Sequence, residues 1–481
     1  MSSGNAGQHA RARAEAAGRP LASAVTAELL ARYDQPGPRY TSYPTAVEFH
    51  AGIDATRYEG CLANANRRPA AELSIYIHLP FCEQRCLFCG CHVIISPHHD
   101  QAAPYLDLLE REIEMLAARL PQRRSFSQLH LGGGTPTYHS PAQLRRLLSH
   151  LMRFFRPVAG AELAVEVDPR VTSAAHLDTL SELGFNRLSL GVQDFTPAVQ
   201  HVIDRVQTVE QTARLIEHAR ACGFGGINID LIYGLPLQSL ETFERTVDRV
   251  IELGADRAAV YSFAFVPWMR AHMKRIAPER LPGRELKFAL FGLARERLLT
   301  AGYEPIGMDH FARPGDELVR ARRDGRLRRN FQGYTVVSAD TVVGLGISAI
   351  GDVEGVYVQN SKKLSHYRQA LAANRLPVER GIARGPDEEV RRAVIQELMC
   401  NFGVDIPALE RAHRIRFDAY FREALLRLEP YRSEGLVRID PERIEATAIG
   451  ELFIRNLARC FDRYWCEKHE HSSQPVFSRT V

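Results

Sequence analysis

Tyr76-Ile-His-Leu-Pro-Phe-Cys82-Glu-Gln-Arg-Cys86-Leu-Phe-Cys89-Gly-Cys91-His92 is the stretch around which the rest of the chain can be read. A short apolar strand ends at Pro80, and four thiols follow at once in a Cys-x3-Cys-x2-Cys-x-Cys pattern. So many thiols on one loop ask for a metal. Neighbouring cysteines this close would strain a disulfide, and nothing in the sequence points to an oxidising compartment. A structural zinc site would draw a second knuckle from a separate turn, and none follows. An iron-sulfur cube held by three thiolates keeps one iron free for a chelating small molecule, so three ligands in a row suit a catalytic cluster.

Working outward, the stretch from Glu72 onward alternates apolar strands with amphipathic helices. The pattern predicts strands over Leu73–His78, Gln128–Leu131, Leu163–Val167, Arg187–Val192, Ile227–Ile232 and Ala258–Phe263. Helices are expected near 103–120, 141–155, 174–183, 209–221, 240–253 and 284–300. Six strand-helix units imply a parallel α/β sheet curling into an incomplete (β/α)6 barrel, two units short of the eightfold form. Barrel chemistry sits where strands end. There the chain puts the cysteine loop, Gly132-Gly-Gly-Thr135, Glu166 and Asp168, Gln193 and Asp194, Asp230, and Tyr261 to Ala264. Singly, each acid reads as a helix cap; together they form a ring of acceptors suited to hydroxyls and an ammonium group.

The flanks are less regular. Residues 1–30 read as a disordered tail without an apolar signal core, overlapped at their end by a helix expected near 22–33. Residues 31–70 form an N-terminal arm in which Pro36-Gly-Pro-Arg-Tyr-Thr-Ser-Tyr-Pro-Thr45 precludes regular structure and, on its composition, reads as a linker. Residues 71–384 are read as the catalytic domain, with the barrel over about 71–303 and an elaboration of aromatic, polar segments with little periodicity over 304–384. Residues 385–481 are read as a helix-rich C-terminal domain, with a small winged arrangement over 435–448. At 481 residues, 45% hydrophobic and a net charge of +4, the composition points away from nucleic acid and towards a globular protein. No apolar run approaches the roughly 20 residues of a membrane span. Of nine cysteines, the five scattered ones read as buried apolar groups, and a reducing cytoplasm suits both sets.

Cys82-x3-Cys86-x2-Cys89, with Phe88 before the third cysteine, resembles the radical S-adenosylmethionine (SAM) superfamily signature. Further segments resemble one family within it, the oxygen-independent coproporphyrinogen III oxidases. They are Arg39-Tyr-Thr-Ser-Tyr-Pro-Thr45, Cys91, Leu131-Gly-Gly-Gly-Thr-Pro-Thr137, Glu166-Val-Asp-Pro169, Gly191-Val-Gln-Asp-Phe195 and Asn228-Ile-Asp-Leu-Ile-Tyr-Gly-Leu-Pro236. Gly307-Met-Asp-His-Phe-Ala-Arg-Pro314, Asn330-Phe-Gln-Gly-Tyr-Thr335 and Phe477-Ser-Arg479 complete the set, in order, from about Arg39 to the C-terminus. Leu131 stands where relatives can carry Trp, a minor departure.

The resemblance implies oxidative decarboxylation of two propionates of coproporphyrinogen III to vinyl groups, giving protoporphyrinogen IX through a 5'-deoxyadenosyl radical. It implies one [4Fe-4S] cluster on Cys82, Cys86 and Cys89, and two SAM molecules per chain. Tyr76, Gly133, Glu166 and Ile350 resemble contacts to the cluster-bound SAM. Phe88, Gly134, Thr135, Gln193, Arg205, Asp230 and Ala264 resemble contacts to the second. Cys91 and Tyr76 are the candidate catalytic residues, Cys91 acting beside the cluster without ligating it. Arg39, Arg313 and Arg329 are candidates for the substrate's carboxylates. Coproporphyrinogen III, a flavodoxin- or ferredoxin-type electron donor and an unidentified acceptor are the implied partners of a monomer that binds no nucleic acid. The rival within the superfamily is a haem-binding chaperone; that group carries Asp-Phe after the third cysteine and lacks the Tyr-Thr-Ser-Tyr-Pro arm, whereas this chain has Gly90-Cys91 and keeps the arm.

Overall fold

The computed structural model describes residues 25–336, 339–469 and 476–480. Most of the expected tail, 1–24, lies outside the described residues; its end does not, since Ala27–Tyr33 is helical with the Thr26 hydroxyl accepting from Leu29 N.

All six expected strands form: β1 (Leu73–Leu79), β2 (Ser125–Gly133), β3 (Arg156–Val167), β4 (Arg187–Gln193), β5 (Gly226–Tyr233) and β6 (Arg257–Ser262), each parallel to the next. The connecting helices keep register with the sequence pattern because their starts are locally encoded. Ser140 and Gln143, and Thr208 and Gln211, exchange capping bonds at the heads of Pro141–Phe154 and Val209–Ala221. Leu144, Leu147, Leu148 and Leu151 on the first of these helices are wholly buried in the one core that runs under the sheet.

The elaboration differs from expectation. Its segments are short strands that widen the sheet to twelve strands at both edges, β1 gaining a parallel neighbour in Val342–Leu345 and β6 an antiparallel one in His310–Ala312. Runs of two to six residues, some buried on both faces like Val356–Asn360, offer no period to read.

The arm is no linker. Tyr40 and Tyr43 are buried in a second core with the C-terminal helices Pro386–Asn401 and Ile454–Arg459. Its backbone carbonyls are satisfied from the far end of the chain: Arg455 Nε donates to Pro38 O at 3.0 Å and Asn456 Nδ2 to Tyr33 O at 2.9 Å. Pro36 bridges Arg479, and Thr480 N donates to Gln35 O at 2.8 Å, so the arm and residues 478–480 form a seam. The later half of the arm, Ala55–Ala65, packs on the barrel core instead. A three-stranded sheet of Gly403–Asp405, Arg443–Ala446 and Val437–Ile439 occupies the place of the winged arrangement. Among the described residues no helix is long and apolar enough to cross a membrane.

One core residue carries a pH liability. His139 is wholly buried, neither ring nitrogen has a partner, and burial holds its pKa down to about 3. The unfolded chain therefore takes up that proton first, near pH 6.5, and stability falls as pH drops below it. His139 should cost about 2 kcal/mol between pH 7.5 and 5. Urea denaturation at the two pH values is expected to show a correspondingly flatter dependence in His139→Leu.

Candidate cofactor and substrate site

Alternation along the strands places the site. Ser74, Tyr76 and His78 on β1, Gln128 and His130 on β2, Ser189, Gly191 and Gln193 on β4, and Asn228 and Asp230 on β5 recur every second residue, so they share the face opposite the one buried under the helices. At the C-terminal ends of the strands the cysteine loop, with Ser189, Gly191, Gln193 and Asp230 of this face, lines a cavity of about 300 Å³. It shares Glu166, Ser189 and Asp230 with a central chamber of about 140 Å³. That chamber in turn shares Gln128, Asn330, Gln332 and Thr335 with a far chamber of about 330 Å³.

Cys82, Cys86, Cys89 and Cys91 all line the first cavity, and Cys91 is the exposed one. Cys82 Sγ lies 3.4 Å from Thr135 Oγ1, and burial pushes its thiol up to about 12. A hydrogen bond from the Cys91 thiol draws Cys89 down to about 6, and the same contact pushes Cys91 up. Cys86 is buried and receives two guanidinium groups, Arg170 Nη2 at 3.4 Å and Arg205 Nη1 at 3.5 Å. Both arginines are held by one carboxylate: Arg170 Nη2 is 2.7 Å and Arg205 Nη1 2.9 Å from Asp168 Oδ2. Burial works against that carboxylate, yet the two arginines hold Asp168 down to about 2. Thiols gathered on one cavity, one of them under two cationic groups, fit a polyanionic iron-sulfur cluster.

Opposite the thiols, Gly133 has φ +113°, and a Cβ there would sit 2.5 Å from the His78 ring; one on Gly134 would sit 2.5 Å from the Pro80 carbonyl. The backbone therefore comes to the cavity edge where no side chain fits. Glu166 accepts from His130 Nε2 at 2.9 Å and Gly133 N at 3.3 Å; although its enclosure pushes the other way, these bonds hold its pKa below the ordinary value. Asp230 accepts from Asn228 Nδ2 at 2.8 Å and Ser189 Oγ at 3.3 Å, while burial pushes it up to about 6. An anionic acceptor beside bare peptide groups suits an amino acid's ammonium group, as a bound SAM would present.

Of the expected site residues, Phe88, Gly133, Gly134, Thr135, Glu166, Gln193, Arg205 and Asp230 line this cavity with the cysteines. Tyr76 is one step behind, its hydroxyl 3.0 Å from His78 Nδ1 and its ring stacked at 5.9 Å on His130. Ile350 approaches Tyr76 through Gly344, its register partner on the neighbouring strand. Ala264, past the end of β6, is not among the lining residues. The arginine candidates separate. Arg313 donates to Ala255 O and lies over Tyr303, away from all three chambers; Arg39 donates to Ser262 O at 3.0 Å and faces Asp309 at 3.7 Å; Arg329 lines the far chamber. Sequence reading missed Arg170, His78 and His130, although the period-2 polar positions would have found both histidines.

Comparison with known proteins agrees with this geometry. Residues 76–250 match the radical SAM superfamily and residues 385–453 the HemN C-terminal domain. An oxygen-independent coproporphyrinogen III oxidase of Pseudomonas aeruginosa is 43% identical over 440 residues, 91% of this chain and 95% of the relative. Its Escherichia coli counterpart is 44% identical over 453 residues, 94% of this chain and 98% of the relative. The solved structure of the Escherichia coli coproporphyrinogen III oxidase, described as a radical SAM enzyme, superposes with a TM-score of 0.85 at 44% identity, covering 89% of this chain and 97% of that one. The chain thus belongs to the oxygen-independent coproporphyrinogen III oxidases, a family of radical SAM enzymes.

Proposed function

We propose that the chain converts two propionate side chains of coproporphyrinogen III to vinyl groups, giving protoporphyrinogen IX without oxygen. The observation that carries this reading is the meeting of Cys82, Cys86 and Cys89 with Gly133, Gly134 and Glu166 around one cavity at the strand ends. When bound there, the [4Fe-4S] cluster and SAM supply one-electron cleavage of a sulfonium and the means to remove hydrogen from an unactivated carbon. The protein's part is to hold and orient. The three thiols would hold the cluster, with Arg170 and Arg205 offsetting negative charge at Cys86. Tyr76, Gly133, Glu166 and Ile350 would hold one SAM, Glu166 accepting from its ammonium group. Phe88, Gly134, Thr135, Gln193, Arg205, Asp230 and Ala264 would hold a second.

The same reading takes the chain as a cytoplasmic monomer fed by a flavodoxin or ferredoxin and passing electrons to an acceptor of unknown identity. The thiols of the cysteine loop must stay reduced to hold a cluster, which suits a reducing compartment. It divides the chain into an arm over 31–70, a catalytic unit over 71–384 and a helical unit over 385–481. Cys91, exposed and joined to Cys89 by a thiol hydrogen bond, would act beside the cluster. Cys91→Ala is expected to keep its iron and sulfide and to lose about a hundredfold or more in turnover, the lower end of the range for a proton-transferring side chain. Full turnover in that variant would remove the role.

The reading is tested by an anaerobic assay with dithionite, SAM and coproporphyrinogen III, following protoporphyrin and 5'-deoxyadenosine. Both products should accumulate. A reconstituted protein that instead binds haem and forms no protoporphyrin would favour the chaperone.

A further inference from the structure

The far chamber holds an arginine with no carboxylate in hydrogen-bonding reach among the described residues. Four arginines line that chamber, and three already face a carboxylate: Arg384 faces Asp352 at 2.9 Å, Arg392 faces Asp352 at 3.8 Å, and Arg328 faces Glu397 at 3.7 Å. Arg329 makes no close ion pair among the described residues, Asp309 acting on it only through space, and its Nε and Nη1 are buried without a hydrogen-bond partner. Its guanidinium lies over the Tyr334 ring at 4.5 Å, which fixes the plane and leaves the edges for a ligand. A guanidinium keeps its charge even when buried, so an orphaned one is costly unless an anion joins it. A second orphan lies nearby: Gln332 Oε1, an acceptor without a partner, on a residue that lines both the far and the central chamber.

An anion-seeking planar group and an unmet acceptor, in a chamber that shares walls with the central chamber and through it with the cofactor cavity, describe a ligand with carboxylates at its rim and N–H groups within. Resting on the function proposed above, we propose that Arg329 anchors a propionate carboxylate of the tetrapyrrole in the far chamber while Gln332 accepts from a pyrrole N–H. The anchored arm lies away from the cysteine loop. Another edge of the ring is then turned through the central chamber towards Glu166 and Asp230. Arg329 is a positioning residue for which arm reacts.

The experiment titrates the anaerobically purified, cluster-loaded protein with coproporphyrin III and, in parallel, with its tetramethyl ester, following porphyrin fluorescence. Wild type should prefer the acid. Arg329→Gln should weaken binding of the acid by about tenfold or more and leave the ester's affinity unchanged, with Arg329→Lys intermediate. Cluster absorbance and far-UV circular dichroism check that each variant is intact. Equal affinity of wild type and Arg329→Gln for coproporphyrin III would overturn the anchor. So would a wild type that binds acid and ester alike, a result that needs no variant. The reading of the substrate itself fails separately, if wild type binds neither porphyrin and yields no protoporphyrin in the assay.

Discussion

Cys86→Ser is expected to bring turnover to background, with iron and sulfide far below one cluster per chain after reconstitution. Cys86 is the most enclosed of the three expected ligands, and two guanidinium groups reach its sulfur at 3.4 and 3.5 Å. That setting favours an anionic, soft donor; a serine hydroxyl is neutral at working pH and a hard oxygen ligand. The measurement is visible absorbance with iron and sulfide analysis, alongside product formation. A variant with a full complement of iron and normal turnover would show that the cluster is held by another set of thiols, with Cys91 the nearest substitute.

Asp168→Ala should be the most destabilising of the polar substitutions at the site, by about 3 kcal/mol or more at neutral pH. One carboxylate holds both Arg170 and Arg205, and without it two largely buried cations face each other with only carbonyls and the Cys86 sulfur for company. The effect depends on acid in a defined direction. The carboxyl titrates near 3.8 in an unfolded chain and near 2 in the fold, so its stabilisation is present above about pH 4 and is lost as pH falls towards 2. Urea denaturation of the cluster-free protein at pH 7 reads the difference without interference from iron. An unchanged midpoint would mean that solvent or the backbone carries the two charges unaided.

The barrel was legible because its information is local. Helix starts carry their caps in sequence, as Ser140 with Gln143 does, and strand edges follow the apolar period. The cysteine loop was legible because its spacing is short and its residue types are rare. What stayed hidden depends on distant partners. Nothing within ten residues of Tyr40 announces that its hydroxyl will donate to Asp462 at 3.0 Å, or that Arg455 will cap Pro38. Pro157 and Gly160 concealed the first half of β3, which is exposed and extended all the same. The arginine candidates show the same limit: residue type nominated Arg39, Arg313 and Arg329 alike, and only packing shows that the first two already have partners.

The seam between Gln35 and Thr480 has a consequence for biosynthesis. The arm is made well before the residues that receive it, since Arg455, Asp462 and Arg479 lie more than 400 residues further along the chain. Strands β1 to β6 can pair and the thiol loop can form before that distant segment exists, whereas the wall of the far chamber built by Tyr40 to Tyr43 closes only once it has been made. A nascent molecule is therefore ready to receive iron before it can retain a porphyrin, and a chain cut before Arg455 would carry the redox centre with an open floor.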